Sequence, residues 1–161
     1  MIIFTTLSGF GIGWGKPAPM DPNKMKNPRW DFFIAVAAGP TSNILQAVIY
    51  AIFLRIAAPG PVLITPNSAP QVFIESVLVY GVIINIALAL FNLIPIGPLD
   101  GQWLIGLLLP EKQRYEFWRF QRSIGIAGLV IVVLAINFLP SSIFLVPIST
   151  VFHFLTGKVL S

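Results

Sequence analysis

Uncharged apolar stretches, each long enough to cross a bilayer, recur along this chain. Residues 32–58 carry no charge except Arg55, residues 76–99 carry none, and residues 123–157 contain no Asp, Glu, Lys or Arg. A helix needs about 20 apolar residues to cross the hydrocarbon core. The pattern predicts spans at about 32–58, 76–99 and 123–139. Pro140 and Pro147 are expected to break the last stretch into this third span and a return segment at 143–157.

Composition supports the same class of protein. Of the 161 residues, 56% are hydrophobic and 10% are charged, whereas soluble domains carry about 25% charged residues. Disordered chains are poor in apolar residues and rich in charge, so disorder is excluded and a soluble enzyme is disfavoured. We therefore expect one all-α integral membrane domain, residues 1–161, with three to four transmembrane helices.

The basic residues fall into two clusters that predict the orientation. One cluster, Lys16 to Arg29, precedes the first span, and the other, Lys112 to Arg122, precedes the third. Cytoplasmic loops of membrane proteins carry an excess of Lys and Arg. Loops 16–31 and 110–122 are therefore predicted to be cytoplasmic. No basic run with interleaved aromatic residues is present, so we expect no nucleic-acid partner.

The counts of cysteine and histidine limit the chemistry. The chain has no cysteine and one histidine, His153. Disulfides and Cys–zinc sites are therefore excluded, and these residues alone cannot supply two imidazole ligands.

Asp100 is the strongest candidate for a functional residue. A carboxylate with apolar sequence on both sides is costly in a membrane and faces a cavity or a partner. Pro95, Gly97, Pro98 and Gly101 prevent one continuous helix here. We expect a broken helix whose break carries Asp100, followed by a re-entrant segment at 100–109. The alternative is a turn at the interface in which Asp100 caps the next helix.

Two further segments hold candidate residues. Asn43 lies in the first span, three residues after Gly39-Pro40, and its amide either bonds to another helix or faces the same cavity as Asp100. Gly alternates with large apolar residues in Gly9–Gly15. This predicts an extended, hairpin-like N-terminal segment to which a peptide could add as a strand, although an ordinary turn fits equally.

Taken together, these motifs resemble the site-2 protease family of intramembrane zinc metallopeptidases. The matching residues are Gly13-Trp14-Gly15-Lys16-Pro17-Ala18-Pro19, Asn27-Pro28-Arg29, Ala38-Gly39-Pro40 with Asn43, Asn92-Leu93-Ile94-Pro95 and Pro98-Leu99-Asp100-Gly101. They follow the order of the family. Only 48 residues separate Asn43 from Asn92, which leaves no room for a PDZ domain and indicates the compact branch.

The resemblance implies a function and roles for single residues. In the family, two histidines of an HExxH helix and one aspartate hold zinc, and the glutamate is the general base. Asp100 matches the aspartate ligand. Asn92 matches an asparagine near the scissile carbonyl, a donor to the oxyanion, and Asn43 matches one near the active site. Gly13 and Trp14 would bind substrate.

The resemblance also implies a partner and a location. The expected substrate is a transmembrane peptide or protein, cut during regulated intramembrane proteolysis in a prokaryotic cell membrane, with zinc as cofactor.

The chain departs from the family at one point, since it contains no HExxH. His153, near the C-terminus, is expected to be a packing or interfacial residue rather than a replacement ligand. We expect the sequence to be part of a longer protease, and catalytically incomplete alone. The alternatives are an inactive scaffold that binds membrane peptides and a small transporter subunit.

Overall fold

The computed structural model describes residues 25–59, 70–138 and 140–158. In these ranges it contains helices and no strand, which confirms the predicted all-α class. The helices are α1 (Pro28–Ala57), α2 (Pro70–Asn92), α3 (Asp100–Leu108), α4 (Glu111–Phe138) and α5 (Ser142–Thr156). The hairpin expected near the N-terminus lies outside the described residues.

Three helices are long and apolar enough to cross a membrane, over Pro28–Ala57, Phe73–Asn92 and Glu111–Ala135. Large apolar side chains cover their outer surfaces, including Ile34, Ile56, Phe73 and Ile126. Such continuous apolar exposure is rare in soluble monomers and is expected of helices that contact lipid. The chain is therefore a multi-pass membrane protein.

Helix α4 begins well before the span predicted at 123–139. Its first half, from Glu111, carries the second basic cluster and is helical rather than a loop. At Gly125 the backbone turns to φ 52° and ψ −137°, so two helical pieces meet at a kink. Only glycine adopts this conformation without strain, and the apolar piece after it corresponds to the predicted span.

Helix α5 corrects one expectation about the prolines. Pro140 precedes the helix, as predicted, but Pro147 lies inside it. A proline removes one backbone hydrogen bond, and apolar membrane helices tolerate this where local adjustments satisfy the freed carbonyl. Pro147 therefore does not divide the segment at 143–157.

The core forms where α1, α2 and α5 meet. Small residues of α1 allow close approach, and the buried cluster comprises Ala47, Ala51, Leu54, Ala58, Val79, Val82, Ile86 and Phe152. A Cβ on Gly81 would lie 2.7 Å from the Tyr50 ring, so α2 packs closely on α1 at this level. At the end of this core Arg55 Nη2 donates to the Phe154 carbonyl at 3.5 Å.

Candidate active site

The Asp100 carboxylate lies directly against the backbone of α1. Residues 93–99 leave the helical conformation, and Asp100 is the first residue of α3. A Cβ on Gly39 would lie 2.7 Å from Asp100 Oδ2. Gly39 is eleven residues into α1, which places it about 16 Å along the helix axis from Pro28. The carboxylate therefore sits well inside the helical assembly rather than at its end.

Helix α3 leads from this point back to the beginning of α1. Arg29 Nε and Nη2 both donate to the Leu107 carbonyl, at 2.9 and 2.6 Å. Since Asp100 is level with Gly39 and Leu107 is level with Arg29, α3 runs antiparallel to the first part of α1. The break and the second short helix predicted from the prolines and glycines are both present.

The alternative role considered for Asp100, capping of the next helix, is not observed. Leu99 is the N-cap residue of α3, and no side chain caps the helix. Among residues 25–59, 70–138 and 140–158, no hydrogen bond or ion pair involves the Asp100 carboxylate. The half-buried carboxylate is thus left without a structural partner in the described part of the chain, which suits an oxygen ligand for a cation.

The two asparagine candidates lie on the helices that flank this carboxylate. Asn92 is the last residue of α2 and directly precedes the break. In the antiparallel pairing of α1 and α2, Gly81 is level with Tyr50, so Asn92, eleven residues later, is level with Gly39. Asn43 lies one turn beyond Gly39 on the same face of α1. Gly13 and Trp14 fall outside the described residues.

An apolar cavity of about 260 Å³ borders this level of the molecule. Residues next to Gly39, the start of the break and the middle of α3 line it, namely Ala37, Pro40, Thr41, Ile44, Leu93 and Leu104. Space for an apolar side chain therefore exists beside the segment of α1 that contacts Asp100.

One residue of the site, Gln121, was not predicted from the sequence. Gln121, on the first half of α4, is 5% exposed. Its Oε1 accepts from the Gly97 N–H at 3.1 Å and its Nε2 donates to the Pro95 carbonyl. The only signal in the sequence is an uncharged amide between Arg119 and Arg122, and in a segment rich in charged residues this is unremarkable.

The described residues do not complete a metal site. No group of three His, Cys, Asp or Glu side chains lies together among them. His153 is on α5, where its Nδ1 lies 3.1 Å from the Lys158 carbonyl oxygen. The neighbouring Phe154 contacts Arg55, which is sixteen residues from Gly39 and so about 24 Å along α1. His153 and Asp100 are therefore at different levels of the molecule.

Comparisons with known proteins support the likeness seen in the motifs. The model of peptidase family M50 matches residues 55–136, just over half of the chain, including the break and Gln121. A Bacillus subtilis (strain 168) protein named "Putative zinc metalloprotease YwhC" is 31% identical over 124 residues, which are 76% of this chain and 55% of that protein. The chain thus spans about half the length of this relative. No solved structure matches it.

The family match covers the α2–α3 break, and the structure places the break's carboxylate against the Gly39-Pro40 segment of α1. The chain therefore belongs to peptidase family M50, the site-2 protease family.

Proposed function

We propose that this chain forms part of the catalytic core of an intramembrane zinc endopeptidase, with Asp100 as one metal ligand. The observation that carries the proposal is the Asp100 carboxylate, which contacts α1 at Gly39 and makes no hydrogen bond or ion pair within the described residues. A carboxylate in apolar surroundings is stabilised by a bound cation.

The carboxylate oxygen fits a single zinc ligand position, and the described residues supply no more than that. The sequence contains one histidine and no HExxH. Under this proposal, the two histidine ligands and the glutamate base come from outside these 161 residues. When bound, zinc supplies a polarised water as the nucleophile.

The remaining residues of this chain would bind and orient the substrate. Asn92, level with Gly39, would donate from its amide to the carbonyl oxygen of the scissile bond. Asn43 would bind the substrate backbone one turn further along α1. The cavity beside Pro40 would receive an apolar side chain of a membrane-embedded peptide, and Gly13 and Trp14 would pair with the peptide as an added strand.

The proposed orientation places loops 16–31 and 110–122 in the cytoplasm of a prokaryotic cell. The contact between Arg29 and Leu107 supports a common side for the two basic clusters, because it joins the start of α1 to the end of α3. The substrate would be a transmembrane segment, as in regulated intramembrane proteolysis.

Cleavage of a membrane-embedded reporter tests this proposal. The protein would be purified in detergent at the length its own cells make, as wild type and as Asp100→Asn. We expect cleavage by the wild type that a zinc chelator stops, and a loss of at least about a hundredfold in Asp100→Asn. Glu75→Gln, a carboxylate change near the start of α2, is the matched control and should cleave normally. Equal cleavage by Asp100→Asn would reject the proposal.

The 161-residue chain alone provides a second test. Because it lacks the histidine ligands, we expect it to retain no stoichiometric zinc and to cleave nothing. Cleavage by this chain that Asp100→Ala abolishes would show that its own residues complete the site, contrary to the proposal.

A further inference from the structure

Two backbone groups of the segment that carries Asp100 are paired by a side chain rather than by other backbone groups. Between α2 and α3, the Gly97 N–H and the Pro95 carbonyl bond to no other backbone group in the described part of the chain. Unpaired backbone groups at membrane depth are costly, and both are instead paired with one side chain, Gln121.

The amide group of a glutamine can pair with an N–H and with a carbonyl at the same time. It donates and accepts through two atoms of one rigid plane, so it fixes both the position and the orientation of the peptide units it contacts. Gln121 is buried, and exclusion of water strengthens both hydrogen bonds.

The helix that carries Gln121 is itself fixed close to the break. The rings of Trp103 and Trp118 lie 4.5 Å apart and join α3 to α4. A Cβ on Gly128 would lie 2.7 Å from Ile96 Cγ2, so the second half of α4 also packs directly on the segment. Helix α4 therefore holds the Gln121 amide at a defined place relative to residues 95–97.

We infer that Gln121 is a positioning residue, whose amide fixes the segment Pro95–Gly97 and thereby holds the Asp100 carboxylate against Gly39. Gly97 is three residues before Asp100, so a shift of its peptide plane is passed through Pro98 and Leu99 to the carboxylate. The inference rests on the proposed function for what Asp100 does, but the contact that fixes the segment is independent of it.

The test replaces Gln121 by methionine, which has a similar length and neither hydrogen-bonding atom. The matched control is Thr156→Val. Thr156 is also buried, and its hydroxyl also pairs with two backbone groups, the Phe152 carbonyl and the Lys158 N–H, at the far end of the molecule. In both variants a buried side chain loses two hydrogen bonds to the backbone, and only Gln121→Met loses them beside Asp100.

Two measurements are made on the protein as its own cells produce it. The first is amide hydrogen exchange over residues 93–103, and the second is retention of zinc against a competing chelator. In Gln121→Met we expect exchange to become at least about tenfold faster and zinc affinity to fall about tenfold, because the segment loses two anchors. Thr156→Val should match the wild type in both.

A second variant distinguishes the loss of these hydrogen bonds from a general failure to fold. Gln121→Glu keeps an acceptor for the Gly97 N–H and loses the donor to Pro95, so its exchange rate should fall between those of the wild type and Gln121→Met. Exchange and zinc retention at wild-type values in Gln121→Met would overturn the inference, and so would equal effects in Thr156→Val.

The outcomes also separate this inference from the proposed function. Zinc that Asp100→Asn removes and Gln121→Met does not would leave the proposed function standing and reject the positioning role. A wild-type protein without zinc would reject the proposed function, and the exchange rates alone would then decide whether Gln121 fixes the segment.

Discussion

At the scale of single residues, the missing side chain of Gly39 lets the Asp100 carboxylate reach the backbone of α1. A methyl group at this position would lie 2.7 Å from Oδ2, well inside contact distance. The carboxylate stands at the end of a short side chain, so it can rotate away. Glycine at position 39 is therefore needed to place the carboxylate against α1, and not to stabilise the fold.

Gly39→Ala tests this interpretation. We expect the thermal unfolding temperature in detergent to change little, because the carboxylate yields and alanine gains up to about 1 kcal/mol of helix propensity over glycine. Zinc retention should fall towards that of Asp100→Asn, because the carboxylate is displaced. Ala38→Val, which enlarges the exposed neighbouring residue, is the control. Unchanged zinc retention in Gly39→Ala would show that the carboxylate does not need this contact.

At the scale of elements, the break between α2 and α3 is closed by a backbone approach. A Cβ on Gly101 would overlap the Leu93 carbonyl oxygen, so the first turn of α3 packs on the backbone at the start of the break. A backbone carbonyl, unlike the end of a side chain, cannot rotate away, and any larger residue must push the two elements apart.

Gly101→Ala should therefore destabilise the protein where Gly39→Ala does not. Overpacking of this kind costs about 1–3 kcal/mol, and we expect a clear fall in the unfolding temperature together with faster hydrogen exchange over 93–103. An unfolding temperature equal to that of the wild type would contradict the close contact, because it would mean that a methyl group fits at position 101.

The sequence predicted these elements better than it predicted their contacts. Pro95 and Gly97 indicated where the break lies, because proline and glycine affect the backbone locally. The bonds of Gln121 to residues 95–97 and of Arg29 to Leu107 join positions 24 to 78 residues apart, which no local pattern encodes. The first half of α4 was missed because its charges, interpreted as a cytoplasmic loop, are equally compatible with a helix at the surface.

At the scale of the whole molecule, α1 defines two ends. Arg29 and the end of α3 lie at its start, and the contacts of Arg55 with α5 lie near its other end. Lys26, Arg29 and the start of α4 belong to the first end, and under the proposed orientation this end faces the cytoplasm, as the positive-inside rule predicts.

Cysteine labelling tests this orientation in a chain that has no natural cysteine. In intact cells, an impermeant maleimide should label Pro59→Cys, beyond the end of α1. It should label Lys26→Cys and Glu111→Cys only after the membrane is opened. Labelling of Lys26→Cys and Pro59→Cys from the same side would contradict a first span at Pro28–Ala57.

The candidate site was only partly predictable from the sequence. Asp100 stood out because a carboxylate between apolar stretches is costly, and the structure adds its contact with Gly39. Asn43 and Asn92 have no such signal, because an amide in a membrane helix also serves in packing. Their roles came from the family resemblance and stay predictions.

The central claim is that Asp100 is a zinc ligand in a site that other residues complete. The most direct measurement is the ratio of zinc to protein, by elemental analysis, in the protein purified from its own cells and in its Asp100→Asn variant. The account predicts about one zinc per chain in the wild type and a loss of most of it in the variant. A wild-type protein without zinc, or a variant that keeps it fully, would contradict the account.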